Sequence, residues 1–304
     1  MTTTTIAQNG LSRLLRAAAL WFDAGAVAVP PSPTGTTARR VEWIRVLPFV
    51  GMHVMCLGVF VVGWNRGAVV AAFALYVVRM FAITGFYHRY FSHRTFRTSR
   101  AAQFAFALIG ASATQRGPLW WAAHHRKHHR HSDTERDVHS PRQHGFWWSH
   151  MGWITSAENF PTDLHEVRDI ARYPELRWLD RFDILVPVAL ATTLFVLGGL
   201  PYLIWGYFVS TVVLFHGTCL INSLAHQIGS RRYETDDDSR NSLALAIITL
   251  GEGWHNNHHR YPGATRQGFF WWEIDLTYMG LVVLSWSRVI RDLRPVPARL
   301  LQAS

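Results

Sequence analysis

Apolar residues in this chain fall into two long runs, with neither the alternation of a half-buried strand nor the single apolar stripe of a surface helix. From Val46 to Tyr87 the sequence is mostly apolar, interrupted only by Trp64-Asn65-Arg66-Gly67. From Ile184 to Asn222 it is apolar again, interrupted by Gly198-Gly199-Leu200-Pro201. Each run holds about 40 residues, twice the ~20 needed to cross the hydrocarbon core of a bilayer. The interruptions are turn-forming, so each run reads as a helical hairpin. The pattern predicts an all-α integral membrane protein with four transmembrane helices, at about 46–64, 67–87, 184–200 and 202–222.

Three further apolar stretches are expected to stay out of the bilayer core. Ala101 to Ala113 and Leu243 to Leu250 are too short to span and read as buried or interfacial helices. Phe269 to Ile290 carries Glu273 and Asp275 near its start and reads as amphipathic, with Trp271 and Trp272 suited to an interface. Residues 1–43, with Thr2 to Thr5 and Pro30-Pro31-Ser32-Pro33, show no sustained pattern. They are expected to form a mobile arm with a short interfacial helix near Leu11 to Phe22. Asp23 interrupts the one stretch, Arg13 to Val29, that resembles a signal peptide. Residues 293–304 are read as a C-terminal tail.

Composition sharpens this picture. The mean hydropathy of +0.05 averages apolar spans with a polar remainder. With 49% apolar residues the chain is not disordered, and its 2 Cys cannot staple 304 residues. Cys56 and Cys219 fall inside predicted spans and are expected to be reduced thiols acting as small apolar residues. The net charge is +10. The turns near Asn65 and Leu200 are only a few residues long. Arg13, Arg16, Arg39, Arg40, Arg45 and the segment from His88 to Asp183 must therefore share the opposite side. The positive-inside rule makes that side, and both termini, cytoplasmic. The basic excess is thus explained by topology and anionic headgroups, and nucleic acid is not an expected partner. No internal repeat is visible.

Histidine carries the chemistry. Of 17 His, nine lie in four clusters on the cytoplasmic side or at a span end: His88 with His93; His125, His128 and His129; His226, preceded by Asn222; and His255, His258 and His259. In an α-helix, positions i, i+3 and i+4 share a face, so each HxxHH presents its imidazoles together, as does the Asn222–His226 pair. His88 and His93 would diverge by about 140° on a regular helix. They converge only if the helix ends between them or if they serve different ions. Nine imidazoles exceed what one ion binds, so two ions sharing the set is expected. Structural zinc sites generally use Cys, and imidazole also suits iron and copper, so spacing alone leaves the metal open. A metal transporter would place ligands along the bilayer midplane, whereas these gather at one end.

The clusters resemble the three histidine boxes of membrane fatty acyl desaturases. The Asn222-x-x-x-His226 element is similar to the acyl-CoA desaturase branch, typified by stearoyl-CoA desaturase. Trp121-x-x-x-His125-Arg126-x-His128-His129, Ser132-Asp133-Thr134, Ser149-His150-x-Gly152-Trp153 and Gly251-Glu252-Gly253-Trp254-His255 extend the likeness over roughly residues 45 to 290. The resemblance implies a cytosolic helical cap over the spans, holding a di-iron centre, within a desaturase domain over 44–292. It implies His88, His93, His125, His128, His129, His226, His255, His258 and His259 as iron ligands, with Asn222 holding a metal-bound water. It further implies O2-dependent insertion of a cis double bond, most commonly at C9–C10, into a saturated acyl chain. Two electrons would come from a separate ferredoxin, rubredoxin or cytochrome b5-like donor, because the chain carries no haem, dinucleotide or iron–sulfur motif of its own.

Ligating imidazoles usually donate their second N–H to a carboxylate or carbonyl. Asp133, Glu135, Asp137 and Glu252 are placed to accept it, Asp137 and Glu252 foremost. Arg79, inside the second span, is either functional or snorkels to headgroups. Trp120, Trp121, Trp147, Trp148 and Trp153 are candidates for the wall of an acyl tunnel. Two departures concern the carrier. Ala123-His124 stands where animal acyl-CoA desaturases have Arg-Asp, and Ile154 to Glu158 lacks their basic residues. The acyl carrier is thus CoA or membrane lipid. A hydroxylase would share the same boxes. Among the remaining histidines, His124, His131 and His139 are expected near the second box, and His53 and His216 packed within spans.

Overall fold

The computed structural model describes residue 15, residues 19–25 and residues 41–302. The expected N-terminal arm lies largely outside the described residues, although residues 19–22 are helical.

Helix α1 (Trp43–Met55) continues through a tighter turn, Cys56–Gly58, into Val59–Val62. Pro48 lies inside it and has no N–H to give to the carbonyl one turn back. That carbonyl, on Ile44, accepts instead from Trp21 Nε1 at 3.1 Å. Asn65 opens α2 (Arg66–Phe81), its side chain accepting from Ala68 N at 2.9 Å. Beyond Phe81 the helix widens into a π-helix, Ala82–Ser92. The helix therefore runs past the expected end at Tyr87, carrying His88 in its last turns and His93 as its C-cap.

Among the remaining helices are α3 (Arg100–Ala111), α4 (Pro118–His131), α5 (Pro174–Arg181), α6 (Leu185–Pro201), α7 (Ser210–Leu224) and α8 (Leu243–Ile248). Helices α9 (His255–Arg260) and α10 (Leu276–Trp286) follow. An antiparallel pair, β1 (Arg97–Thr98) with β2 (Ile290–Arg291), ties the two ends of the polar region together.

Among the described residues, three helical runs are long and apolar enough to cross a membrane: Trp43–Val62, Arg66–Ser92 and Leu185–Leu224. The third is 40 residues long and broken at Gly199, whose φ of 65° and ψ of −158° suit glycine alone. A β-carbon at Gly206 would sit 3.4 Å from Leu194 Cδ1. In one straight helix those residues would be about 18 Å apart, so the chain reverses there. Leu185–Leu224 is a hairpin of α6 against Tyr202–Val209 and α7. The tips of both hairpins meet, with Trp205 Nε1 donating to Gly63 O at 3.0 Å.

The core sits where the π-helix, α3, α4 and α5 converge. Tyr87, Phe91, Leu119, Leu176 and Leu179 are fully buried there, each apolar side chain contributing about 1.5–3 kcal/mol. Gly110 is required at this crossing, because a β-carbon would meet the Tyr87 ring at 2.1 Å. The N-terminus of α4 is held from outside the helix. Asp180 on α5 accepts from Leu119 N at 2.9 Å and Trp120 N at 2.8 Å. That cap fixes the helix bearing the second histidine cluster.

Candidate metal centre

All nine boxed histidines converge, in two groups. His88, His93, His125, His129 and His258 form the first, and His128, His226, His255 and His259 the second. Within each group the facing nitrogens lie within 4.8 Å of one another. The two HxxHH helices divide in complementary fashion. Helix α4 gives its i, i+4 pair, His125 and His129, to the first group and His128 to the second. Helix α9 gives His255 and His259 to the second and His258 to the first.

His88 and His93 join the same group by the first expected route. The helix ends at Ser92, between them, with His93 as its C-cap, and they do not face separate groups. In the π-helix the i→i+5 hydrogen bond, His93 N to His88 O at 3.2 Å, stacks residues five apart. Their rings lie 4.9 Å apart as a result.

The spacing fits a metal. Nε2–Nε2 separations are 3.0 Å for His88–His258, 2.8 Å for His93–His125, 2.9 Å for His129–His258 and 3.1 Å for His226–His255. Imidazole nitrogens bound at about 2.1 Å and at right angles on one ion stand about 3.0 Å apart. Four of the rings are fixed by carboxylates on Nδ1, which leaves Nε2 lone pairs facing inward. Glu252 lies 2.5 Å from His88, Asp137 2.9 Å from His128, Asp133 2.7 Å from His226 and Asp237 2.6 Å from His259. Converging lone pairs repel unless a cation lies between them. His259 Nε2 is buried with no protein partner, as a ligand atom would be.

The electrostatics agree. Burial, then the neighbouring imidazoles, hold His93, His125, His129, His255 and His258 well below the usual histidine range. Neutral imidazole is the ligating form. Burial alone would raise the carboxylates, but their histidine partners outweigh it: Asp133 is held at about 2, and Asp137, Asp237 and Glu252 are also lowered. Glu252 has a second anchor in Arg89 on the π-helix, 3.0 Å away. Arg89, fully buried, also pairs with Asp275 at 2.9 Å and donates to Thr265 O. The amide end of Gln267 lies 3.2 Å and 3.4 Å from Nδ1 of His88 and His258.

Asp137 and Glu252 thus stand where sequence placed them, beside rings of the clustered histidines. Asp133 does the same for His226, while Glu135 is exposed. Asp237 was missed, its only signal being the acidic run Glu234 to Asp238. Arg89, Asp275 and Gln267 were missed too. His139 joins His128 and Asp137 in a further small cluster, and His124 packs at a tilt beside the stacked pair Trp120 and Trp153. Arg79 does not snorkel: its guanidinium donates to Leu75 O, Ser112 O, Thr211 Oγ1 and Ser210 Oγ, all neutral. Cys56 and Cys219 are free thiols.

A cavity of about 400 Å³ runs beside the first group. His125, His124, His139 and Asn222 line it at the histidine end, with Trp120, Trp121 and Trp153. Trp147 and Trp148 do not line it. Phe49, Met52, Phe208, Val212 and Phe215 carry it between the spans, and Arg45, Arg116 and Asp183 stand at its polar end.

Helices long enough to span a membrane, two imidazole groups able to hold metal ions and an apolar cavity reaching His125 occur together in this chain. Comparison with known proteins places it further. The fatty acid desaturase family model matches residues 64–278. The sn-2 palmitoyl-lipid 9-desaturase of Nostoc sp. (strain 36) is 39% identical over 86% of this chain and 91% of that protein. The sn-1 stearoyl-lipid 9-desaturase of Anabaena variabilis is 38% identical, over 82% and 92%. An acyl-CoA 5-desaturase of Anemone leveillei is 33% identical, over 88% and 87%. The chain belongs to the fatty acid desaturase family and is an oxidoreductase.

Proposed function

We propose that this protein is an O2-dependent di-iron desaturase that inserts a cis double bond at C9–C10 of a saturated fatty acyl chain. The observation that carries the reading is the pair of imidazole groups, the first of which reaches the wall of an apolar cavity through His125. The 9-desaturase names of two relatives support the position, and the acyl-lipid and acyl-CoA names together support either carrier. One iron is held by His88, His93, His125, His129 and His258, the other by His128, His226, His255 and His259, with Asn222 beside them to hold a water. Asp137, Glu252, Asp133 and Asp237 fix the tautomer and aim of their rings.

Iron bound there supplies O2 activation. The chain's own residues keep the ligands neutral, exclude bulk water and align the acyl chain. In balance, two hydrogens from adjacent methylenes, two electrons from a ferredoxin, rubredoxin or cytochrome b5-like donor and two protons convert O2 to two waters. The four helices of the two hairpins span the membrane beneath a cytoplasmic cap, with both termini cytoplasmic and residues 44–292 as the catalytic domain. Residues 1–43 and 293–304 flank that domain.

The test is mass spectrometry of lipids from a host expressing the chain. A loss of 2 Da with the double bond at C9–C10 is expected. A gain of 16 Da would assign a hydroxylase instead, and no oxygen-dependent change would remove the reading.

A further inference from the structure

The cavity does not stop at the polar region; it continues as the space between α1 and α7. Val46, Phe49 and His53 line one side, and Val212, Phe215 and Cys219 the other, each set at helical spacing. Across this gap a ring contact and an imidazole pair join the helices. The Phe49 and Phe215 rings touch edge to face at 5.1 Å, and His53 Nε2 lies 3.0 Å from His216 Nε2.

Helix α1 is the least enclosed of the three long apolar runs: 6% of its apolar window is buried, against 11% in Leu185–Leu224 and 44% in Arg66–Ser92. It is pinned at its ends, by Glu42 N to Thr155 O at 3.0 Å and by Trp205 to Gly63. Between the pins, Pro48 and the tighter turn at Cys56–Gly58 interrupt the helical ladder on either side of His53.

The bridge itself is an unusual choice. Apolar side chains would join two spans without the cost of burying polar groups. Here three imidazoles run in series: His53 to His216, His216 Nδ1 to His150 Nε2 at 2.9 Å, and His150 Nδ1 to Ser223 Oγ at 2.9 Å. When the His53–His216 bond opens, His53 keeps the Phe49 carbonyl at 2.8 Å and His216 keeps His150. Each ring loses one partner and retains another. That is the behaviour of a latch.

We propose that the cleft between α1 and α7 is a side door, latched by His53 and His216, through which an acyl chain of a membrane glycerolipid slides from the bilayer into the cavity. The inference rests on the desaturase reading of the cavity. The occupant follows from continuity and charge. The door faces apolar walls, the cavity leads to His125 and Asn222, and Arg45 stands at the polar end beside the Arg116–Asp183 ion pair, where a lipid headgroup would sit. A two-chained lipid cannot leave the bilayer without exposing its second chain, so it must present one chain sideways. An acyl-CoA dissolved in water comes through the polar end and needs no door.

The test uses the full chain, with Cys56→Ala and Cys219→Ser, in phosphatidylcholine vesicles containing a phosphatidylcholine with a diazirine on one acyl chain. His53→Cys with His216→Cys is linked by a short bifunctional methanethiosulfonate, and lipid attachment to α7 after illumination is read by mass spectrometry. Linking is expected to cut phospholipid attachment at least tenfold. Reductant restores it, and attachment of a water-added diazirine acyl-CoA stays unchanged. Undiminished phospholipid attachment in the linked protein overturns the door. Phe49→Cys with Phe215→Cys provides the same link if the first pair does not assemble. Attachment needs no turnover, so a chain that seals but makes no double bond keeps the door and loses the desaturase reading.

Discussion

Glu252→Gln isolates what a carboxylate behind a metal-facing histidine contributes. Glu252 is buried between His88 Nδ1, at 2.5 Å, and Arg89, at 3.0 Å. Glutamine keeps the shape and can still accept from His88, so the change removes charge and little else. A hydrogen bond to a charged group contributes about 1.5–3 kcal/mol and a neutral one about 0.5–1.5 kcal/mol. The difference, about 1–1.5 kcal/mol, weakens the first histidine group roughly tenfold, the lower end of the 10–100-fold expected for such partners. Arg89 retains Asp275, so the fold should survive. The assay is metal retained per chain during titration with a chelator. One of two metals should leave at about tenfold lower chelator concentration, while the second group, which Glu252 does not touch, holds its own. Asp237→Asn should do the converse through His259. Equal loss from both groups, or none, would refute the division of the nine histidines.

Three further outcomes follow. His128→Ala and His258→Ala should each abolish unsaturation in lipid profiles, a larger loss than the roughly 10–100-fold from removing an outer partner; retained double bonds would show that the rings are not ligands. Burial, resisted by Thr162, raises Asp180 to about 6 from 3.8. The folded state thus holds its proton more tightly than the unfolded chain, and this group's contribution grows less favourable as pH rises from about 4 to 6. At about 1.4 kcal/mol per pH unit, the charged form costs about 3 kcal/mol at neutral pH. Asp180→Asn, which keeps an acceptor for Leu119 and Trp120, should raise thermal stability at pH 7.5 and give no gain near pH 4, checked by melting curves at both. Gly199→Ala forces a side chain into φ 65°, ψ −158°, costing about 1–3 kcal/mol. A melting temperature unchanged from wild type would contradict the break there.

Much of this was legible in the sequence, because hydrophobic runs and histidine spacing report directly on physics. The interruption Gly198 to Pro201 marked the reversal at Gly199, and the nine histidines marked the site. What was not legible depends on tertiary context. Nothing in Ala82 to Ser92 announces a π-helix, since its wider turn is sustained by the packing of Tyr87 and Phe91 and by Arg89 locked between Glu252 and Asp275. The exchange of His128 and His258 between groups depends on how α4 and α9 face each other, which i, i+3, i+4 spacing cannot specify. Asp237 lies more than ten positions from His226 or His259, and only the folding back of its loop brings it to a ring. His53 and His216 looked like polar residues packed within spans. Their meeting across a cavity is a property of the hairpins' arrangement.

The central claim is that two metal ions share nine histidines, five and four. Metal analysis of the purified full chain, by inductively coupled plasma mass spectrometry on protein of quantified concentration, tests it most directly. Two irons per active chain are predicted, falling towards one in Glu252→Gln and Asp237→Asn after mild chelation. A fully active chain carrying one metal, or none, would contradict it.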